Sequence, residues 1–291
     1  MSTSPDPAEK QSENTYIIDA EDAAEMARLL DQDKLLTEAM GGLFPERAGG
    51  DMRDIHDVLD IGCGPGGWIH EVAHSYPNVE ATGIDISQRM VQYARAHAKV
   101  RKLNNAHFKV MDAHKRLDFP DNSFDLVNER FLFSFMTPDD WHTLARECMR
   151  ILRPGGIIRF TEVEAGFSNM PAFERIFGVL FRALHLAGQS FSPNGQHIGL
   201  IPMLKRIMRD AGYQDIQHLA HMVDFSAGTP GNRGFHDDLD VGFKLAQPFL
   251  TKTKAITPEE FDVLYPQAMD EMLSEEFCGV WMLLTAWGRK P

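Results

Sequence analysis

The sequence of 291 residues has little cysteine: only Cys63, Cys148 and Cys278 are present, and they lie far apart. Three is an odd number, and the spacing fits neither a disulfide framework nor a cysteine-based metal site. We therefore expect reduced thiols in a cytoplasmic protein without a bound metal.

Long apolar runs and positive charge are also scarce. The longest apolar stretches, such as Val280–Leu284, fall far short of the roughly 20 residues that a helix needs to span a bilayer. Residues 1–14 are polar and contain no basic region followed by an apolar one, so neither a secretory signal nor a membrane partner is expected. The formal net charge of −13 would repel a phosphate backbone, which argues against nucleic acid as a partner.

The composition nevertheless supports a folded core, since 43% of the residues are hydrophobic. Residues 1–14 are rich in serine, proline and charge and are predicted to form a disordered tail. Residues 15–50 are predicted to form an N-terminal helical cap, with helical spacing over Ala20–Met40 and a stop at Gly41. Residues 51–291 are predicted to follow as one domain, with insertions at about 165–197 and 226–276 that cover its site.

From Asp57 onward, short apolar runs alternate with helical patterns, which predicts an α/β fold with a parallel sheet and helices on both faces. The alternation breaks after Glu162, and Thr229–Asp240 is predicted to be a loop. The predicted strands are Val58–Asp60, Glu80–Ile84, His107–Met111, Phe124–Asn128, Gly156–Thr161, Ile216–Phe225 and Cys278–Trp287. The predicted helices after the cap include Ser87–Lys102, Asp139–Ile151, Pro171–Gly188, Ile198–Ala211 and Pro258–Glu276.

The strongest local pattern is a glycine-rich turn after the first predicted strand, Gly62-Cys63-Gly64-Pro65-Gly66-Gly67. Glycine lets the backbone turn tightly and approach a ligand closely because it has no Cβ. In an open α/β sheet, ligands bind outside the carboxyl ends of the strands, where this turn lies. The turn also satisfies the dinucleotide pattern G-x-G-x-x-G, so a nicotinamide-dependent oxidoreductase is one interpretation.

Three aspartates distinguish between the interpretations. Asp60 lies in the strand end just before the glycines, where a carboxylate favours a cationic ligand and disfavours a pyrophosphate. Asp85 ends the second strand, about 20 residues on, where a carboxylate accepts hydrogen bonds from ribose hydroxyls. Asp112 follows the third strand and can accept from the exocyclic amino group of adenine. Together they favour a cationic ligand that carries a ribose and an adenine.

These segments resemble the class I S-adenosylmethionine-dependent methyltransferases, in particular a branch that looks like the quinone-biosynthesis methyltransferases. The resemblance implies a Rossmann-like, seven-stranded, mostly parallel sheet with an antiparallel last strand, helices on both faces and a helical lid. It also implies S-adenosylmethionine as the cofactor and S-adenosylhomocysteine as the product. The segments that carry it are Val58–Gly66, Gly83–Ser87, Asp112-Ala113, Phe124–Met136 and Ile151–Gly156.

The resemblance also places residues of this sequence around the cofactor. Apart from the resemblance, the position of Tyr16 before the first predicted helix leads us to expect that it closes over the cofactor when that helix docks. Family members often carry a histidine where this chain has Ser134 and Phe135, so no catalytic histidine is carried over. The residues implied near the methionine end are Asp60, Gly62, Cys63, Gly64, Gly66, Asn128 (through its backbone carbonyl) and Arg130. The residues implied at the ribose and adenine are Asp85, Ile86, Met90, Asp112 and Ala113.

Catalytic residues are harder to assign, because methyl transfer needs mainly an acceptor atom held in line, about 3 Å from the methyl carbon. A general base contributes only where the acceptor must lose a proton. Glu162 and Glu164, after the fifth strand, and His185 are the candidates for a base or an acceptor contact. His185 ends a stripe formed by Phe173, Phe177 and Phe181, which is either an aromatic wall of the acceptor pocket or a helix face packed on the sheet.

The acceptor is predicted to be a small, largely apolar molecule, because phenylalanine, methionine and leucine are abundant after residue 165. A polyketide, a terpenoid, a quinone precursor or an amine fits this description. The residues leave O-, N- and C-methylation open, as well as a monomer or a homodimer. The alternatives are a nicotinamide-dependent oxidoreductase and a non-catalytic, cofactor-binding scaffold.

Overall fold

The computed structural model describes residues 16–19, 22–47 and 51–291, so the predicted tail over residues 1–14 lies outside the described residues. The strands are β1 (Asp57–Ile61), β2 (Glu80–Asp85), β3 (Ala106–Val110), β4 (Phe124–Arg130), β5 (Leu152–Ser168), β6 (Gln214–Asp224) and β7 (Gly279–Arg289). The α-helices are α1 (Ala23–Ala39), α2 (Gly67–Ser75), α3 (Gln88–Val100), α4 (Pro138–Ile151), α5 (Pro171–Leu186), α6 (Ile201–Asp210), α7 (Asn232–Lys252) and α8 (Pro258–Met272). A short 3-10 helix spans Leu132–Ser134.

The strands form one sheet in the order β3-β2-β1-β4-β5-β7-β6. Strands β1 to β5 pair in parallel, whereas β7 runs antiparallel to both β5 and β6. The predicted Rossmann-like sheet with an antiparallel last strand is therefore confirmed. The strand order reverses between β1 and β4, and sheets of this kind bind ligands in the crevice at that point.

Side-chain caps explain where several helices begin. The Ser87 hydroxyl accepts a hydrogen bond from the backbone N–H of Met90 at 3.1 Å and starts α3. Thr137 and Asp140 form a reciprocal capping box at the start of α4. These caps satisfy backbone N–H groups that the first helical turn leaves without a partner. Because the signals are local, sequence patterns locate such helices well.

The prediction of a loop over Thr229–Asp240 is wrong, because α7 begins at Asn232 and continues to Lys252. Gly231 and Gly234 suggested a loop, since glycine lowers helix propensity by about 1 kcal/mol relative to alanine. Burial of one apolar helix face outweighs that cost. The buried apolar residues of this face are Phe235, Leu239, Phe243, Ala246 and Leu250.

Strand β5 is longer than predicted and extends to Ser168. It pairs with β4 only as far as Thr161, but its pairing with β7 continues to Ser168. Long antiparallel pairing of this kind joins residues far apart in the chain, so local patterns do not reveal it. The extension carries Glu162, Val163 and Glu164 beyond the last residue of β4.

Four helices form a cover beside the sheet. Helix α1 packs against α7, and α5 packs against both α7 and α8. Helix α1 comes from the predicted cap, whereas α5, α7 and α8 fall in the predicted insertions. None of the helices in the described ranges is both long and apolar enough to cross a membrane.

Candidate active site

The ends of β1, β2 and β4 and the segment after β3 open into one cavity, and α1, α5 and α7 cover it. Most of the residues that the sequence implied around a cofactor are brought together here. Those that line the cavity are Tyr16, Asp60, Gly62, Cys63, Gly64, Asp85, Ile86, Met90, Asp112, Ala113 and Arg130. Their contact with a cofactor stays a prediction.

The glycine turn is held in shape by Asp85. The backbone N–H of Gly64 donates to Asp85 Oδ2 at 2.9 Å, and the N–H of Ser87 donates to Oδ1 at 2.8 Å. Gly62 has a φ of +69°, and a Cβ there would lie 2.6 Å from Leu132 Cδ2, so glycine is required. Each carboxylate oxygen has a second lone pair, so Asp85 can still accept hydrogen bonds from ligand hydroxyls.

Asp60 is buried at the centre of the sheet edge and is held by its neighbours. Asn128 Nδ2 donates to Asp60 Oδ1 at 2.7 Å, and Arg159 Nη1 donates to Asn128 Oδ1 at 2.7 Å. Burial raises the pKa of Asp60 to about 7, although the Arg130 charge opposes this shift. A cationic ligand beside Asp60 would favour its ionised form, so the site and such a ligand stabilise each other.

The cavity carries an excess of negative charge. Its lining includes five aspartates and two arginines. Arg130 forms an ion pair with Asp33, and Arg28 forms one with Asp238. The lining therefore favours a cation such as a sulfonium over an anionic dinucleotide.

Helix α1 places Asp33 against the start of α2, immediately after the glycine turn. A Cβ on Gly67 would lie 2.4 Å from Asp33 Oδ2, so the carboxylate is packed on this backbone. The N-terminus of a helix after a glycine turn is where a dinucleotide pyrophosphate binds. Here a carboxylate already occupies that position, which counts against the nicotinamide interpretation.

A buried polar network ties the cap to α7. Arg28 donates to Glu25 from Nε at 2.7 Å and to Asp238 from Nη1 at 2.8 Å. Gln32 donates to Asp238 at 3.0 Å, and the Tyr16 hydroxyl donates to Glu25 at 2.6 Å. The Arg28 and Asp238 side chains are 8% and 4% exposed, so this is an interior ion pair in the cavity wall that joins α1 to α7.

Beyond the acidic strand ends, the cavity becomes apolar. This half is bounded by α5, α7 and β7, and Trp281 of β7 is packed by the ring edges of Phe177 and Phe235. Trp68 and Trp281 both line the cavity, but their indole N–H groups are buried away from it and have no hydrogen-bond partner among the described residues. The apolar residues of this half are Val163, Phe177, Leu180, Leu239, Phe243 and Ala246.

Two residues implied at the cofactor lie outside the cavity lining. Gly66 is packed into the core, where a Cβ would lie 2.7 Å from the Phe108 ring, so its left-handed φ of +84° serves the turn into α2. Asn128 is fully buried in β4, and its side chain bridges Asp60 and Arg159. Both residues therefore support the site from the core without lining the cavity.

The three predicted catalytic residues also lie outside the lining, so no contact in the structure supports their catalytic role and it stays a prediction. Glu164 accepts hydrogen bonds from the backbone N–H groups of Gly199 and Ile201, so it anchors the segment before α6. His185 is exposed on α5 beside Gly195. Of its stripe, Phe177 lines the cavity, whereas Phe173 packs in the core against Phe225 and Phe277.

Glu162 is buried and supports the loop after β4. It accepts a hydrogen bond from the backbone N–H of Leu132 at 2.6 Å, and residues 131–135 of that loop line the cavity. Glu129 is fully buried nearby, and no described residue donates to its carboxyl oxygens. Burial, and then the neighbouring Glu162 carboxyl, holds the pKa of Glu129 well above its usual range, and burial raises the pKa of Glu162 to about 8. Two such acids cannot both ionise at low cost.

This acid pair predicts a pH dependence of stability. Between about pH 4.5 and 8, the folded protein retains a proton that the unfolded chain has lost, so the free energy of unfolding falls as the pH rises. We expect Glu129→Gln to reduce this slope, because its amide can donate to Glu162 without titrating. The variant should exceed the wild type by on the order of 1–2 kcal/mol at pH 8.5 in urea unfolding and match it near pH 5.

The control for this prediction is Glu275→Gln, since Glu275 is exposed. It should unfold with the slope of the wild type. Equal pH slopes for Glu129→Gln and the wild type would show that the pair ionises freely in the folded protein.

The sequence reasoning missed the residues that the helical cover contributes. Helix α1 presents residues at i, i+1, i+4, i+5 and i+8, and α7 presents a second set at the same spacing. Residues at this spacing lie on one face of a helix. Polar residues on such a face were the sequence signal that could have indicated a contribution to the site. The α1 set is Arg28, Leu29, Gln32, Asp33 and Leu36, and the α7 set is Asp238, Leu239, Gly242, Phe243 and Ala246.

Comparison with known proteins agrees with this geometry. Residues 58–156 match the family model described as a methyltransferase domain. Among curated relatives, a demethylmenaquinone methyltransferase from Listeria welshimeri is 27% identical over 183 residues, which cover 59% of this chain and 75% of the relative. A demethylmenaquinone methyltransferase from Staphylococcus haemolyticus is also 27% identical and covers 57% of this chain and 74% of its own length.

Two solved structures share the fold. Haemonchus contortus phosphoethanolamine N-methyltransferase 2, in complex with S-adenosyl-L-methionine, is 19% identical with a TM-score of 0.54. That alignment covers 91% of this chain and 57% of the nematode protein, so this chain spans little more than half the length of that relative. The [4+2]-cyclase SpnF is 24% identical with a TM-score of 0.54, covering 94% of this chain and 97% of its own.

The sheet order, the acidic strand ends and these matches define a Rossmann-like methyltransferase. The methyltransferase domain over residues 58–156, the curated relatives and the sheet order support the class I S-adenosylmethionine-dependent methyltransferase family. The chain is an enzyme whose cofactor is S-adenosylmethionine and whose acceptor is a small molecule.

Proposed function

We propose that the cofactor lies across the ends of β1, β2 and the segment after β3, with its methyl group facing the apolar half of the cavity. Asp85 accepts hydrogen bonds from the ribose hydroxyls, and Asp112 accepts from the adenine amino group. The glycine turn borders the methionine part, where Asp60 faces the positive charge.

The acceptor is a largely apolar molecule bound between α5, α7 and β7. The observation that carries this proposal is the change in the cavity lining, from aspartates at the strand ends to phenylalanine, leucine and tryptophan under the helical cover. Polyketides, terpenoids, quinone precursors and hydrophobic amines fit such a lining. The names of the curated relatives, which are demethylmenaquinone methyltransferases, support a quinone precursor among these.

Methyl transfer needs little covalent chemistry from the protein. As the acceptor atom forms its bond to the methyl carbon, the bond from carbon to sulfur breaks and the sulfur retains the electron pair. An acceptor that carries a proton must lose it, and the predicted bases Glu162, Glu164 and His185 lie outside the cavity lining. Alignment of the two substrates in the cavity supplies the rate enhancement.

The proposed function is tested with a labelled methyl donor and a panel containing a hydroxynaphthoquinone, an aromatic polyketide, a terpenoid alcohol and an arylalkylamine. We expect transfer to at least one member. Gly242 lines the acceptor half, and the three atoms nearest to a Cβ there belong to the Arg28 side chain and lie 3.7–3.9 Å away, an ordinary van der Waals distance. Gly242→Leu should fill this half and slow transfer at least about tenfold, while the Kd for S-adenosylhomocysteine changes less than twofold.

Tight binding of S-adenosylhomocysteine without transfer to any panel member would favour the scaffold alternative. Equal effects of Gly242→Leu on cofactor affinity and on transfer would contradict the proposed division of the cavity. A cytoplasmic location, a monomer or homodimer, and the boundaries of the cap and insertions remain part of this proposal.

A further inference from the structure

We propose that Glu129 and Glu162 share one proton and that this acid pair positions the loop after β4, residues 131–135, for cofactor binding. The two glutamates are positioning residues, since neither of them lines the cavity. This inference deepens the proposed function and rests on it, because the loop lines the cavity in which the cofactor is placed. The starting observation is a pair of buried acids that leave three of their four carboxyl oxygens without a donor in the described part of the chain.

The two carboxyl groups lie side by side on neighbouring strands. Glu129 of β4 is in register with Phe160 of β5, and Glu162 lies two residues further along β5, on the same face of the sheet. Both glutamates are 0% exposed, and their side chains are within hydrogen-bond reach of each other. A carboxylate can only accept hydrogen bonds, so this contact is favourable only when one of the two acids carries a proton.

The proton resides on Glu129. Leu132 donates its backbone N–H to Glu162 Oε1 at 2.6 Å, and such a bond favours the ionised form of its acceptor. Glu129 receives no hydrogen bond from any residue in the described ranges, so its neutral form is favoured. As a neutral acid it donates to Glu162 Oε2, which otherwise lacks a partner among these residues. The shared proton therefore satisfies one oxygen on each carboxyl group.

The surroundings favour a single negative charge on this pair. Asp60 of β1 disfavours ionisation of Glu129, whereas Arg159 of β5 favours it. Cys148 of α4 also faces Glu129, and burial holds the pKa of this thiol well above its usual range, so the thiol stays neutral. Strand β7 places the apolar Leu284 in register with the partner acid, and the loop itself contains no charged residue.

The loop that the pair holds contacts the cavity wall at three places. Leu132 packs on the glycine turn, where a Cβ on Gly62 would lie 2.6 Å from Leu132 Cδ2. The Phe135 ring meets Tyr16 of the cap at 6.1 Å and His114, after β3, at 5.8 Å between centroids. A displacement of this loop would therefore disturb the proposed cofactor contacts at the glycine turn, at the cap and after β3.

This loop needs an anchor because its backbone begins in an unfavourable conformation. Phe131 has a φ of +62°, in the left-handed region that bulky residues rarely adopt. Two hydrogen bonds to β5 hold the backbone there: the N–H of Phe131 donates to Thr161 O at 3.2 Å, and that of Leu132 donates to Glu162. The second bond is shorter and has an ionised acceptor, so it is the stronger of the two.

Loss of the shared proton would leave two adjacent buried carboxylates. They repel each other, and movement of Glu162 towards water breaks its bond to the N–H of Leu132. The anchored loop therefore retains a proton that the released loop gives up. Because the cofactor binds the anchored form, its affinity should fall as the pH rises past the pKa of the pair.

The test compares Glu129→Gln and Glu129→Leu with the wild type through the Kd for S-adenosylhomocysteine at pH 7 and at pH 9.5. Glutamine donates an N–H to Glu162 without titrating, whereas leucine is of similar size and removes the donor. Glu147→Gln is the matched control, because Glu147 accepts from the backbone N–H of Leu117 at 2.8 Å and lies outside the cavity lining. Hydrogen exchange at the backbone amides of residues 131–135, corrected for the intrinsic rate at each pH, reports on the loop without ligand.

We expect Glu129→Leu to weaken S-adenosylhomocysteine binding at least about tenfold at pH 7, because Glu162 without its donor becomes neutral and accepts less strongly from Leu132. Exchange in this variant should accelerate more over residues 131–135 than over β1 and β2. Glu129→Gln should stay within about threefold of the wild-type Kd at pH 7. Glu147→Gln should match the wild type at both pH values.

Between pH 7 and pH 9.5, the wild-type Kd should rise at least about fivefold more than that of Glu129→Gln. This ratio isolates the acid pair, because the amino group of the ligand and the other titrating residues are common to both proteins. Where Glu129→Leu does not fold, this comparison decides the matter alone.

Parallel pH profiles for the wild type and Glu129→Gln would overturn the inference, as would a wild-type affinity in Glu129→Leu. Exchange that accelerates uniformly over the sheet in Glu129→Leu would also overturn it, since the acids would then support only the overall stability. Failure of the wild type to bind S-adenosylhomocysteine would instead count against the proposed function, and exchange over the loop would then test the acid pair by itself.

Discussion

Asp85→Asn is expected to weaken the binding of S-adenosylhomocysteine at least about 100-fold, or roughly 3 kcal/mol. The carboxylate has two tasks: it accepts from the backbone N–H groups of Gly64 and Ser87, and it is proposed to accept from both ribose hydroxyls. Asparagine replaces one acceptor oxygen with a donor, so it faces a backbone N–H or a ribose hydroxyl with the wrong polarity. Hydrogen bonds to a charged acceptor contribute about 1.5–3 kcal/mol each.

Isothermal titration calorimetry of the two proteins gives this ratio directly. The control is Asp118→Asn, which removes an exposed carboxylate outside the cavity lining and should leave the affinity unchanged. An unfolding midpoint close to that of the wild type is required to interpret the result. A loss of less than about fivefold in Asp85→Asn would place the ribose elsewhere.

The second large effect concerns the buried ion pair between α1, in the cap, and α7. Arg28→Met should lower the free energy of unfolding by about 3–5 kcal/mol, because it leaves the buried carboxylates of Glu25 and Asp238 without their cation. Both carboxylates are almost inaccessible to water, so solvent does not compensate for the loss. If α1 detaches before the sheet unfolds, hydrogen exchange should accelerate at the backbone amides of α1 before it accelerates at those of the sheet.

A rescue variant separates charge from shape in this network. Combining Arg28→Met with Glu25→Gln and Asp238→Asn removes the unpaired charges and should restore most of the lost stability. The matched control is Arg233→Met, since Arg233 pairs with Asp237 on the exposed surface of α7 and should contribute less than about 1 kcal/mol. Equal losses for Arg28→Met and Arg233→Met would contradict an interior ion pair.

The half of the molecule built on β1 to β5 could be predicted from local sequence. Asp60, Asp85 and Asp112 each follow a short apolar strand, and parallel strands bring their carboxyl ends to one edge. The glycine turn constrains the same edge, since Gly62 and Gly64 adopt positive φ. Candidate site residues that directly follow a strand in the sequence can therefore be identified without a structure.

The helical cover could not be predicted in the same way. Arg28 and Asp238 are 210 residues apart in the chain, and the local sequence around either residue does not indicate that the two pair. Helix α7 was missed because Gly231 and Gly234 are typical of loops, whereas the burial of its apolar face depends on partners elsewhere. The acceptor half of the cavity is assembled from such long-range contacts.

Glu162 and Glu164 show why the position of a residue after a strand does not by itself assign its role. Sequence position placed them just past the carboxyl end of a central strand, where acids are often functional. In the structure, neighbouring residues along β5 serve different purposes: Val163 lines the cavity, whereas the two glutamates bind backbone N–H groups of a loop and of the segment before α6. Which face of a strand meets the ligand depends on register, and pairing with β7 sets that register.

The most direct test of the central claim is a calorimetric titration of the wild-type protein with S-adenosylhomocysteine, with NADH and NADPH titrated in parallel. The acidic lining and the Asp33 carboxylate at the start of α2 predict one-to-one binding of S-adenosylhomocysteine and no binding of either nicotinamide nucleotide at the same concentrations. Binding of a nicotinamide nucleotide in the absence of S-adenosylhomocysteine binding would contradict the account.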